Sequence, residues 1–107
     1  MSRPLIPDPK RALEAAAFHR LVFAKYGRWN RVCSLCGKQG ATDAAHVVPR
    51  SMLGPLRYAD PRMARPAHRA CHEAQERGDI CFSLAIRRDA VLAHNEIAKV
   101  PLVVPDA

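Results

Sequence analysis

Two matched pairs of metal-ligand residues constrain this chain more than any other feature: Cys33-Ser-Leu-Cys36 and His68-Arg-Ala-Cys71, separated by residues 37–67. A tight turn brings both members of such an x2 pair to one ion, and tetrahedral zinc accepts thiolate sulfur and imidazole nitrogen readily. Two pairs complete a four-ligand shell. The spacing therefore predicts a structural zinc ion on Cys33, Cys36, His68 and Cys71, with no open position for catalysis. Such an ion contributes folding energy directly. A chain of 107 residues benefits, because a small domain hides a smaller share of its surface than a large one.

The flanking segments read as helices around this frame, in a single domain spanning 1–107. Asp8 is placed to cap a helix over 8–26, with Pro9 at its first position. Leu13, Ala17, Leu21 and Ala24 recur at helical spacing, with Phe18 and Val22 beside them, and Gly27 is the expected stop. Ala44–Val48 reads as a short strand carrying His46 and ended by Pro49. Residues 50–67 read as irregular, broken by Gly54, Pro55, Pro61 and Pro66. His68 opens a helix through about Arg77, and 81–99 forms the last helix before an apolar tail. His19 and His94 are expected on helix surfaces, Cys81 as a small buried hydrophobe, and Trp29 in packing.

Lys and Arg outnumber Asp and Glu by 17 to 10, for a formal charge of +7. A surface of this sign attracts polyphosphate and exchanges condensed counterions for protein cations. Arginine predominates, and its planar fork suits phosphate. Arg50, Arg57, Arg62, Arg65 and Arg69 fall close together in sequence, and such contacts position a nucleic acid without reading its sequence. No leader-like or membrane-length apolar run is visible, so the expectation is a soluble, cytoplasmic protein. In a reducing compartment four cysteines point to metal rather than disulfides.

Taken in order, Cys33-x2-Cys36, Ala45-His46-Val-Val-Pro49-Arg50-Ser51 and His68-x2-Cys71-His72 resemble the HNH endonuclease motif, over roughly residues 33–77. The resemblance implies an α+β fold: a zinc-stapled ββα-metal core with flanking N- and C-terminal helices. It implies a DNA phosphodiester hydrolase, of a kind frequent in phage genomes, with His46 as general base. Histidine suits that task because its ordinary pKa leaves it mostly neutral at physiological pH. It also implies His72 as a ligand of a catalytic divalent ion. Glu76, one helical turn on, stands where many members carry a second histidine, and its oxygen favours Mg²⁺ or Mn²⁺.

Two positions depart from the family pattern. Ala45 stands where Asp or His often binds the catalytic metal, leaving Asp43 or Asp60 as candidate carboxylates. Met63 stands where an asparagine usually orients the base, and methionine makes no such hydrogen bonds. These departures keep an alternative open: a zinc-stabilised DNA-binding module that no longer cuts. An adaptor using the Val100–Val104 tail is a third expectation.

Overall fold

In the computed structural model, which describes residues 9–28 and 30–105, the chain is a mixed α/β fold of helices around one two-stranded sheet. Helix α1 spans Pro9–Tyr26, strand β1 Asp43–His46, helix α2 Arg50–Leu53, strand β2 Ala64–Ala67, helix α3 Arg69–Glu76 and helix α4 Leu84–Ile97. Two single 3₁₀ turns, Gly54–Leu56 and Pro61–Met63, lead from α2 into β2. Asp8 and Trp29, expected as a cap and a packing residue, lie outside the described residues.

The sheet corrects the expectation of an irregular 50–67. β1 and β2 pair antiparallel, with Asp43 opposite Ala67 and His46 opposite Ala64. The ladder extends past His46, where the Val47 N–H donates to the Met63 carbonyl at 3.0 Å. Ala-Arg-Pro-Ala is a poor strand sequence by propensity, yet all four residues are buried. Tertiary context overrides the local preference. The first strand also starts and ends earlier than expected, leaving Val47 and Val48 as buried loop residues.

Helix α1 turns a different face inward than its leucines suggest. Phe18 and Val22 are buried and join Ala64, with Tyr26, Ala44 and Tyr58 packed around them. Leu13 and Leu21 are 72% and 53% exposed. Phe18, Val22 and Tyr26 recur every four residues, the spacing of one helical stripe. The helix ends at Gly27, whose N–H reaches the Phe23 carbonyl at 2.9 Å.

The larger core gathers Cys33, Ala45, Val47, Leu53, Met63, Phe82, Ala90 and Val91. Met63, at the position where asparagine was expected, is wholly buried in it. Helix α4 is capped by Ser83, whose hydroxyl accepts from the Ile86 N–H. It buries Ala90, Val91, Ala93 and His94. His94 is therefore a core residue rather than a surface one, and Cys81 is exposed rather than buried. Asn95 ties down the tail by exchanging two hydrogen bonds with Leu102, at 2.8 and 2.9 Å. Among the described residues no helix is long and apolar enough to cross a membrane.

Candidate functional site

The metal-ligand pairs meet as their spacing predicts. One ligand atom each from Cys33, Cys36, His68 and Cys71 lie within 4.8 Å of one another. Tetrahedral zinc, with Zn–S near ~2.3 Å, would separate its sulfurs by roughly 3.8 Å, so the group needs only slight contraction to hold such an ion. Local backbone builds the first half. The Cys33 N–H donates to Lys38 and the Gly37 N–H returns to Cys33. Gly37 (φ +78°) and Gly40 (φ +86°) take left-handed turns that a side chain would strain. The Ser34 N–H then pins this hairpin to β2 through the Pro66 carbonyl at 2.9 Å.

The second half comes from the start of α3. His68 lies with Nδ1 3.3 Å from the Cys36 sulfur, while its Nε2–H donates to the Gln39 carbonyl at 2.7 Å. An outer acceptor of this kind fixes the tautomer and leaves Nδ1 as the ligand atom. Burial pushes the Cys33 thiol up, but N–H donors from His68, Cys36 and Leu35 outweigh it and bring the pKa down to about 6. Cys71 moves the other way, to about 11, through burial and then the neighbouring sulfurs of Cys36 and Cys33. The site thus already favours one thiolate, and a cation would relieve the crowding of the others. The residues present fit a metal ion such as zinc.

The second group lies where β1 ends against α3. His46 is half-buried, its ring stacked on Phe18 (5.2 Å, 6°) with Tyr58 tilted against it at 5.9 Å. Its Nε2 is 2.6 Å from the backbone carbonyl of Arg57. A carbonyl oxygen only accepts, so Nε2 carries the hydrogen and the lone pair of the neutral ring sits on Nδ1. Burial lowers the His46 pKa; the Arg57 carbonyl opposes this and Arg50 adds to it. The result is a neutral imidazole, fixed in one tautomer, at the edge of an open groove.

His72, on the exposed side of α3, bridges two carboxylates. Its Nδ1 is 3.0 Å from Asp43 Oδ2 and its Nε2 is 2.9 Å from Glu76 Oε1. Asp43 is half-buried, and burial raises its pKa, but His72, Arg69 and Thr42 together bring it below the ordinary carboxylate value. Of the two aspartates weighed from sequence, Asp43 therefore belongs to this site. Asp60 does not: it caps the turn before β2 and pairs with Arg62. His46 shares one pocket with His72, Arg50 and Tyr58, and a second with Arg50, Ser51 and Glu76.

The five arginines separate into two groups. Arg65 is 4% exposed, sits 3.9 Å over the Tyr26 ring, pairs with Asp89, and donates to the carbonyls of Arg62 and Ala64. It is a core residue, and the expectation that it faces DNA is corrected. Arg62 is clamped between Asp60 and Glu96, and both carboxylates raise its pKa. Arg50 and Arg69 are exposed, and Arg57 is partly so, with its Nε–H held by the Gly54 carbonyl at 3.1 Å.

No protein-family model, curated protein or solved structure matches this chain. Its class rests on its own geometry: a mixed α/β chain with a Cys₃His group able to hold a metal, beside a second cluster of histidines and carboxylates.

Proposed function

We propose that the chain is a metal-dependent endonuclease of the HNH, ββα-metal type, hydrolysing DNA phosphodiester bonds. One observation carries this: the His46 imidazole, held neutral by burial, has Nε2–H committed to the Arg57 carbonyl and its Nδ1 left as a base. The order β1–β2–α3 supports the same reading, with His46 ending β1 and His72 and Glu76 on one face of α3. The Cys₃His group, charged with structural zinc, ties β2 and α3 to the knuckle and keeps that arrangement rigid.

His46 Nδ1 takes a proton from water as the water oxygen attacks phosphorus. The P–O3′ bond breaks, leaving a 5′ phosphate, and the departing 3′ oxygen takes a proton from solvent to end as a hydroxyl, while His46 returns its proton to solvent. Mg²⁺ or Mn²⁺, when bound, supplies charge stabilisation at the phosphate and the departing oxygen. His72 Nε2 and Glu76 Oε1, 2.9 Å apart on one face of α3, would hold that ion. Asp43 holds His72 through Nδ1, which directs Nε2 outward as the ligating nitrogen. Arg50 and Arg69, with Arg57, present cations to the DNA backbone, giving contacts without sequence preference.

The test is nicking of supercoiled plasmid by zinc-loaded protein with added Mg²⁺ or Mn²⁺, beside His46→Ala. Nicking that needs the added ion and vanishes in the variant supports the reading. Nicking that persists in the variant removes His46 as the base. A DNA-binding module that does not cut is favoured by one feature: Ala45 is wholly buried, so no donor precedes His46 at the metal. It requires salt-sensitive DNA binding with no cleavage under either ion.

A further inference from the structure

His19 sits on α1, outside the segment that resembles the HNH motif, but the fold brings it to the groove. It lines one pocket of about 210 Å³ with His46, Arg50, Tyr58 and His72. That space has room for a phosphate group. Two contacts hold the ring in place: it stacks on Phe23 at 4.5 Å, and Nε2 lies 2.8 Å from the Thr42 carbonyl. Because that carbonyl only accepts, Nε2 carries a hydrogen in either charge state. Nδ1 is the nitrogen that has no hydrogen-bond partner among the described residues.

Neutral, Nδ1 would suit a metal; as imidazolium, it would donate to an anion. Among the described residues the Cys₃His group is the one set of three or more ligand-bearing side chains gathered to hold an ion, and His19, His46 and His72 do not form such a set. The lining also suits an anion, since its one fixed charge is the Arg50 guanidinium and no carboxylate lines it.

We infer that His19 is a phosphate-binding residue of this site, donating from Nδ1 as imidazolium to a non-bridging oxygen of the DNA backbone on the α1 side. The role presupposes the DNA reading above. The groups facing His19 are His46 from β1, Arg50 from α2, Tyr58 from the following loop and His72 from α3, with the Asp43 carboxylate taken up by His72 and Arg69.

The test follows the ¹⁵N signals of the histidine rings in zinc-loaded protein, without added Mg²⁺ or Mn²⁺, as a short duplex is titrated in. His19 is expected to shift toward the imidazolium pattern; signals that stay fixed while DNA binds overturn the role. His19→Phe keeps the stack on Phe23 and removes both nitrogens. It is expected to weaken duplex binding roughly tenfold and to reduce the slope of log affinity against log salt by about 0.9. An unchanged slope also overturns the role. Wild-type protein without DNA affinity sinks the DNA reading and this role together. Wild type that nicks plasmid while His19 stays unmoved sinks only this one.

Discussion

The Nε2 of His46 and the backbone carbonyl of Arg57 lie 2.6 Å apart, so a main-chain atom orients the ring where the HNH motif leads one to expect an asparagine side chain. Burial holds the His46 pKa below its ordinary value, and this has a signed consequence. The unfolded chain binds a proton at His46 near pH ~6.5, while the folded chain resists it to lower pH. The stabilising contribution of the neutral ring is complete above that value and is lost as pH falls through the folded pKa. Chemical denaturation at pH 7.5 and 5.5 should therefore show a larger acid loss in wild type than in His46→Gln. Equal losses would place the pH sensitivity elsewhere.

The Cys₃His group should bind zinc at one ion per chain, and native mass spectrometry with and without acid counts it. Cys33→Ser should be the most damaging ligand change, because Cys33 is buried in the core as well as in the site. Loss of cooperative thermal unfolding is expected there, since binding energy of a structural zinc is folding energy. Cys81→Ser is the control: Cys81 is exposed and outside the group, and zinc content should not change.

Arg65 and Arg50 should respond in opposite ways. Arg65→Met removes the partner of the Arg62 and Ala64 carbonyls and the cation over Tyr26. A stability loss of about 2 kcal/mol is expected, with the salt dependence of DNA binding unchanged. Arg50→Ala should leave the thermal midpoint within error and reduce the salt slope by about 0.9. A reversed pattern would move the proposed DNA face to the opposite side of the sheet.

What could be read from residues alone was what local spacing encodes. The knuckle of Cys33 and Cys36 and the start of α3 at His68 and Cys71 follow from turns of fixed length, and their meeting follows from the ligand chemistry. β2 could not be read, because Ala64–Ala67 carries Arg and Pro and becomes a strand only through β1 and the burial around it. The inward face of α1 is set by Phe18, whose partner is the His46 ring, and not by its leucines. The orienting carbonyl of Arg57 leaves no trace in side-chain identity. Nor does residue type separate Asp43, which reaches His72, from Asp60, which caps a turn.

If His72 holds the proposed catalytic ion, Asp43 should act on metal affinity through it. Asp43→Asn keeps the shape but weakens the acceptor for His72 Nδ1, and loss of such an outer partner costs roughly 10- to 100-fold in metal affinity. Mn²⁺ titration followed by electron paramagnetic resonance measures it on zinc-loaded protein. Zinc content should not change, because Asp43 is not in the Cys₃His group. Unchanged Mn²⁺ affinity would remove Asp43 from the site.

Met63 separates the family pattern from the solution found in this chain. If an asparagine at this position were needed, Met63→Asn would restore or raise nicking. Met63 is wholly buried among apolar neighbours, however, and its main-chain carbonyl, not its side chain, takes part in the ladder through Val47. An amide there would lose apolar packing and lack evident partners, at a cost of about 3 kcal/mol. Met63→Asn should therefore lower the thermal midpoint without raising the nicking rate of the folded fraction, and Met63→Leu should be close to neutral in both. A gain of activity in Met63→Asn would show that the Arg57 carbonyl alone orients His46 poorly.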